Sequence, residues 1–394
     1  MSKLNINKLR EDTIGCMQVL HFNNAGAALQ PNPVITSVKS HIDLEALIGG
    51  YEAAEAVKDD NELFYDLAAC LINCSRDEIA YTNNATHAWN MAFYSIAFKA
   101  NDKIITSISE YASNYLAFLH VAKRNNVVID IIPNDEHGQL DIEELRKKID
   151  GRVKLIAITH VPTQGGLINP VKEVGAIAQQ YNIRFLLDAT QSIGQMPIDV
   201  TDLKCDFLCA TGRKFLRGPR GTGFLYVSKN AIQECSPPFI TLNSATLINV
   251  DSYVLANSAS RFETWEQNIA AKLGLKTAIQ YSLDLGLQEI WKRIQHLSKL
   301  LRQHLAEIDG VKIQDLGINK CGIISFSCKN KSPNELKNYL ATKHMNVSVS
   351  SQKIAPLDLI QRKITSLIRA SVHYYNTEEE IVVFCDELRK FTKS

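Results

Sequence analysis

From about residue 78 to about residue 230, short, almost wholly apolar runs alternate with amphipathic stretches. The runs at 103–107, 127–132, 153–159, 184–188, 206–210 and 223–227 are rich in Ile, Val, Leu and Phe. Their lack of polar alternation predicts strands buried on both faces of a largely parallel sheet. Between them, 3.6-residue periodicity predicts helices over 86–98, 114–124, 141–148 and 171–181. This alternation predicts an α/β layered domain. After Ser236-Pro237-Pro238 the rhythm changes. Long helices are predicted over 268–285 and 287–308, the second with an apolar stripe at Ile290, Ile294, Leu297, Leu301 and Leu305. A strand (322–327), a helix (333–344), strands at 347–350 and 367–373, and a last helix follow. Thr377-Glu378-Glu379-Glu380 opens that helix as a capping box. The expected division is an N-terminal segment 1–20, a large domain 21–256 and a smaller α+β domain 257–394, with the packing of the first segment left open.

Composition changes little in this picture. Of 394 residues, 45% are hydrophobic and 22% charged, an ordinary globular balance. A formal net charge of +1 gives no basic field for nucleic acid. No apolar stretch is long enough to span a bilayer, and MSKLNINKLREDTIG lacks the apolar core of a signal peptide. A cytoplasmic protein with no membrane partner is expected. The 9 cysteines are scattered, without CxxC pairs or a zinc-ligand cluster, so reduced thiols and no metal are expected.

Two features carry candidate chemistry. Asp188 ends the apolar run of RFLLDATQSIGQ. A carboxylate at the carboxyl end of a sheet strand can hold a cationic ligand, or merely cap the next turn. The stretch CATGRKFLRGPRGTGFLYV is basic and glycine-rich inside an apolar region. Lys214 there reads as a reactive amine, as part of a phosphate cradle with Arg213, or as a cation of a solvated loop.

The combination of DATQS, a strand, and T-G-R-K followed by GPRGTGFLYV resembles the class V aminotransferase family. FNNAGAALQP, YTNNATHAWN, SEYASNYLAF, TQGGLINPV, RFETWE and IRASVHYYNTEEE extend the resemblance, in the family's order, over nearly the whole chain. The resemblance implies a fold type I pyridoxal 5'-phosphate (PLP) enzyme, with a mainly parallel seven-stranded sheet and a smaller α+β domain. It implies that Lys214 is the Schiff-base lysine and that Asp188 pairs with the pyridinium nitrogen. Gln191 would hydrogen-bond the ring hydroxyl. Ala85 and Thr86 would bind phosphate at a helix N-terminus, with Thr211 and Arg213 near it. Tyr111 would stack on the ring where most relatives have His, and Thr163 takes the place of a family Asn near the ring. Arg369 would grip the substrate α-carboxylate, and Asn24 and Ala25 would line the substrate mouth. A homodimer is implied as well.

Three departures from the family pattern shape the functional expectation. SVSSQKIAPLDLIQRKITSLIR, the region of the desulfurases' nucleophilic loop, contains no cysteine. A standard cysteine desulfurase is therefore not expected. Arg213 stands where His usually precedes the lysine, in a form that resembles the ergothioneine-pathway sulfoxide lyases. Glu266 falls near the place of a phosphate-binding threonine supplied by the partner subunit, and an ionised carboxylate cannot donate a hydrogen bond. The expected activity is a C–S lyase acting on a cysteine-derived thioether or sulfoxide. Amino-acid racemase, epimerase or aminotransferase are the alternatives. A non-catalytic protein of this fold is disfavoured by the intact Asp188, Gln191 and Lys214 set.

Overall fold

The computed structural model describes residues 4–393. The first three residues of the N-terminal segment, and Ser394 at the end of the 257–394 unit, lie outside them. Seven strands form the central sheet: β1 (Ile79–Thr82), β2 (Lys103–Ser107), β3 (Val128–Ile132), β4 (Val153–Thr159), β5 (Arg184–Asp188), β6 (Phe207–Thr211) and β7 (Gly223–Val227). Their spatial order is β1-β7-β6-β5-β4-β2-β3. Strands β2 to β6 run parallel, and β7 lies antiparallel to both β6 and β1.

Successive residues of these strands feed two different cores. Leu186, Phe207, Cys209 and Leu225 pack with Trp89, Phe93 and Phe118 on one face. Phe185, Leu187, Leu208 and Phe224 pack on the other face with Val174 and Ile177. Both faces are dry, so the strands read as unbroken apolar runs rather than as alternating ones. The register brings Thr159 beside Asp188, and Asp188 beside Cys209. Thr211 pairs with Gly223, and Gly223 with Thr82. One edge of the sheet thus gathers the carboxyl ends of β4, β5 and β6, the place where open α/β sheets bind ligands.

A hairpin of β8 (Ala245–Asn249) and β9 (Ser252–Leu255) stands apart from the sheet and exposes Leu247, Ile248 and Val250. Four antiparallel strands form the second sheet: β10 (Val311–Ile313), β11 (Ile323–Cys328), β12 (Ser348–Ser351) and β13 (Ser366–Ser371), in the order β10-β11-β13-β12. Helices Ile269–Leu285 and Leu287–Ala306 precede it. Ile290, Ile294, Leu297, Leu301 and Leu305 are buried, as the stripe predicts. The Thr377 capping box is present, with Glu380 N donating to Thr377 Oγ1 and Thr377 N donating to Glu380 Oε2.

The predicted boundaries move by a few residues for local reasons. The helix predicted to His344 ends at Thr342, and His344 takes a left-handed φ of 56°. The strand predicted to His373 ends at Ser371, because Asn376 Oδ1 accepts from His373 N and turns the chain. The helices Asn32–Ile48, Gly50–Ala56 and Lys58–Ile72, β1, the hairpin, β10 and the short helix Pro356–Gln361 were not predicted.

The N-terminal segment joins both parts. Leu20–His21 pairs in parallel with Met345–Asn346. Arg217, from the basic stretch, is fully buried and collects three partners from distant segments. Its guanidinium donates to Thr13 Oγ1 (2.6 Å), Leu29 O (2.7 Å) and Tyr374 Oη (2.8 Å). It also lies 4.4 Å from the Tyr375 ring centroid, a cation–π contact. Arg217 is therefore a structural cation, not a ligand for an anion. Arg217→Ala leaves these acceptors without a donor, at about 1–3 kcal/mol each where no water replaces it. The expected result is a loss of about 3 kcal/mol or more in urea-induced unfolding followed by circular dichroism. An unchanged unfolding midpoint would show that the three contacts contribute nothing.

Candidate active site

The stretch after β6 leaves the sheet edge as a tight turn. Gly212 N donates to Thr222 O and Gly218 N to Gly212 O, so Gly212 to Thr222 closes on itself before β7 begins. A Cβ on Gly212 would meet Thr222 Oγ1 at 2.2 Å, so no larger residue fits this return. The turn pushes Lys214 into a cavity of about 440 Å3 above the ends of β4, β5 and β6.

Eleven of the twelve sequence-predicted site residues line this cavity: Ala25, Ala85, Thr86, Tyr111, Thr163, Asp188, Gln191, Thr211, Arg213, Lys214 and Arg369. They come from segments more than three hundred residues apart in sequence, as the bridge from Asn23 to Ser371 requires. The twelfth, Asn24, lies elsewhere. It is fully buried, and its amide donates to Ser371 O (2.6 Å) and His21 O (3.2 Å) while Tyr375 Oη donates to its oxygen at 2.5 Å. Those bonds fix the Asn23–Ala27 turn, so Asn24 supports the mouth without lining it.

The electrostatics of the cavity are unbalanced. Lys214, Arg213 and Arg369 line it, and Asp188 is the only carboxylate among its lining residues. Burial first, then the charges of Arg213 and Arg369, hold the Lys214 amine well below the ordinary lysine range. Burial and the Arg213 charge likewise bring Arg369 down to about 10. Arg369 Nη1 donates to Thr163 O and Oγ1, both at 2.8 Å, while its Nε is buried without a partner. Arg213 donates to Gly26 O, so its guanidinium is tied to the same turn as Arg369, whose Nη2 reaches Asn23 Oδ1 at 3.5 Å.

Further polar atoms await a ligand. Gln191 Nε2 donates to Ala25 O (3.1 Å) and Thr163 Oγ1 (3.2 Å), which leaves Gln191 Oε1 buried and unpartnered. Thr190 Oγ1 is also buried without a partner. At the opposite end the helix Ala85–Tyr94 begins, with Asn84 Oδ1 capping His87 N. The N–H groups of Ala85 and Thr86 open its first turn, a natural place for an anion. A Cβ on Gly223 would lie 2.4 Å from Ala210 O and 3.2 Å from Ala85 N, so glycine lets β7 pass beneath this turn.

Sequence reasoning missed several residues of the site, among them Thr159, Thr190 and Asn114 of the lining and Glu110 behind it. Asn114 Nδ2 donates to Asp188 Oδ2 at 2.9 Å and to Glu110 Oε1 at 2.8 Å. Glu110 is fully buried behind it. In SEYASNYLAF Glu110 and Asn114 stand four residues apart across a helix start, a spacing that does not by itself reveal their link to Asp188.

A buried amine, a strand-end carboxylate, an anion-ready helix start and unpartnered polar atoms match the aldehyde, ring nitrogen, phosphate and hydroxyl of PLP. Fold and cavity together define a fold type I PLP-dependent enzyme. The sequence model of the family described as Aminotransferase class-V matches residues 20–384. The chain belongs to the class V aminotransferase family, and PLP is accordingly its cofactor.

Its relatives refine this. The chain is 31% identical over 393 residues to a probable cysteine desulfurase of Pyrococcus abyssi, covering 98% of this chain and 97% of that one. It is 33% identical over 327 residues to a probable cysteine desulfurase of Methanothermobacter thermautotrophicus, covering 82% and 81%. The apo structure of a cysteine desulfurase from Thermococcus onnurineus superimposes with a TM-score of 0.92 at 28% identity, with 100% of both chains covered. A cystine C–S lyase bound to cysteine persulfide shares the fold, with a TM-score of 0.86 at 21% identity over 96% of this chain and 99% of that one.

These findings correct one expectation. The exclusion of a standard cysteine desulfurase rested on a single loop without cysteine. The similarity to proteins of that name runs over nearly the whole chain, and the exclusion does not stand. Among the described residues no helix is long and apolar enough to cross a membrane.

The cluster of cations makes one measurement direct. In cofactor-stripped protein, Arg213→Gln removes a charge that lowers the Lys214 pKa. The pH profile of Lys214 acylation, followed by peptide mass spectrometry, is expected to move to higher pH in the variant. A profile that stays in place would show that the two cations do not interact.

Proposed function

We propose that this chain cleaves the C–S bond of cysteine or of a cysteine-derived amino acid. The observation that carries the reading is the neutral-leaning Lys214 amine held in one cavity with the ion-pair-free Arg369 guanidinium. The names of the relatives, cysteine desulfurase and cystine C–S lyase, support the same bond as the target.

In this reading Asp188 would pair with the cofactor's ring nitrogen, and the start of helix Ala85–Tyr94 with Thr86 and Thr211 would hold the phosphate. Tyr111 covers the ring, and Thr163 ties Gln191 to Arg369 at the cofactor's edge. Gln191 presents an acceptor, Oε1, so it would receive a hydrogen bond from a hydroxyl rather than donate to an oxygen anion. When bound, PLP supplies the electron sink that labilises bonds at the substrate α-carbon. Arg369 would bind the substrate carboxylate through its free donors and orient the α-carbon toward Lys214. Lys214 would remove the α-proton, because its lowered proton affinity leaves a larger neutral fraction at physiological pH. In elimination the sulfur would then depart with the bonding electron pair as a thiolate, leaving pyruvate and ammonia; in desulfuration an acceptor thiolate would attack the sulfur, the C–S electron pair would stay with the β-carbon, and alanine would remain. Arg213 adds a second positive charge beside the carboxylate site and keeps the amine basicity down.

A second copy of the chain belongs to the same reading. The β8–β9 hairpin exposes Leu247, Ile248, Val250 and Val254. An exposed apolar hairpin that stands apart from the central sheet fits burial against a like surface in a homodimer.

Purified holoenzyme is tested on L-cysteine, cystine, S-alkylcysteines and their sulfoxides. Alanine with acceptor-bound sulfur, or pyruvate with ammonia and released thiol, is the expected outcome for at least one substrate. Inversion at the α-carbon without loss of sulfur across the whole panel would refute C–S cleavage. Lys214→Ala is expected to lower turnover at least a thousandfold, of the order of a lost catalytic nucleophile or base. Sedimentation is expected to give a dimer, and a fully active monomer would remove the second copy from the reading.

A further inference from the structure

The helix Ala112–Asn125 begins beside the cavity, and Glu110 lies just before it, entirely cut off from solvent. Its carboxylate is saturated. Oε1 accepts from Thr159 Oγ1 (2.5 Å), Tyr111 N (2.8 Å) and Asn114 Nδ2 (2.8 Å), and Oε2 accepts from Thr106 Oγ1 (3.0 Å). Asn114 Nδ2 has two protons and spends them on two carboxylates, Glu110 and Asp188. The amide orientation is thereby fixed, since the flipped form would set its oxygen against both. Asp188 Oδ1 in turn accepts from Thr190 N at 2.9 Å.

A buried carboxylate behind a ligand-facing one is costly unless it serves the site, because an apolar side chain would fill the same space without desolvating a charge. Burial pushes Glu110 up to about 7, with Asp188's charge adding to the rise against the hydrogen bonds from Thr159, Asn114 and Tyr111 N. The other ionisable groups facing this pair are the Cys209 thiol and Lys214. Burial and then the Asp188 charge hold Cys209 well above its ordinary range, so it stays protonated. Lys214 faces Asp188 from the cavity side and is shifted downward.

We propose that Glu110 is a positioning residue for Asp188, acting through the Asn114 amide to fix that carboxylate and to set how strongly it holds a cationic ring nitrogen. The proposal rests on the reading of Asp188 as the ring-nitrogen partner. Its sign follows from charge. Below its own pKa Glu110 is neutral and only the Asn114 bridge acts. Above it, a second negative charge stands behind Asp188 and favours a protonated ring.

The test compares binding of PLP and of its 1-deaza analogue, which lacks the ring nitrogen, to cofactor-stripped protein between pH 6 and about 8.5. For wild type, the ratio of the two affinities is expected to rise roughly five- to tenfold through about pH 7, a coupling of ordinary size. In Glu110→Gln, which mimics the neutral acid, the ratio is expected to stay flat at its low-pH value. Phosphate and Lys214 ionisation affect both ligands alike and cancel in the ratio. A Glu110→Gln protein that keeps the wild-type rise overturns the proposal, as does one that weakens both ligands equally, the mark of a purely structural role. Should that variant fail to fold, Asn114→Ala reads the same coupling and is expected to flatten the ratio. Asp188→Asn separates the two layers. If it abolishes the preference for PLP over the analogue, the reading of Asp188 holds, whatever Glu110 does.

Discussion

The constraint on which the site depends is an excess of buried positive charge. Lys214, Arg213 and Arg369 share a cavity whose lining holds the single carboxylate Asp188. Buried cations without counterions are costly, and each of these is pushed toward its neutral form. The cavity is therefore built for anions that arrive from outside, a phosphate and a carboxylate. Before they arrive, the amine of Lys214 is kept poorly protonated by its neighbours.

Holding such a cluster together requires a stiff frame. The parallel strands β4 and β5 end at Thr159 and Asp188 in direct register, and both faces of the sheet are closed by apolar cores. The loop after β6 is fixed from behind by Arg217, which joins Thr13, Leu29 and Tyr374. One basic stretch thus holds cations of opposite purpose. Arg217 is spent on hydrogen bonds that bind three parts of the chain. Arg213 and Lys214 face the cavity, where their charges remain unpaired by any carboxylate but Asp188.

Much of this was legible in the sequence, and the exceptions have physical causes. Six of the seven central strands were readable as continuous apolar runs; β1, only four residues long as IAYT, was too short to stand out although it is fully buried. Helix 287–306 was readable from its stripe. The hairpin β8–β9 was not, because its apolar residues point to solvent and so break the rule that ties hydrophobicity to a core. Of the site, Asp188, Arg213 and Lys214 stood out in their own stretches and the other candidates came from the family resemblance, whereas Glu110 and Asn114 came from neither. Their role lies in a contact between a helix start and the end of β5, seventy-four residues away, which no local pattern encodes. Asn24 is the reverse case. It sits in a motif at the mouth, but the buried carbonyls of His21 and Ser371 claim its amide.

The corrected expectation about desulfurases shows how unequal such signals are. The segment after β12 meets the site at its rim, where Ile354 lines the cavity and its carbonyl accepts from Ala112 N. The absence of a thiol in one segment reports on that segment alone. The long-range set is different: Gln191 and Arg369 share Thr163, which accepts from both, and Asp188 and Lys214 line the same cavity. Changing Gln191 or Arg369 alters the hydrogen bonding of the other. A constellation held by mutual contacts constrains the chemistry of the bound cofactor far more tightly than a single loop constrains where the sulfur goes.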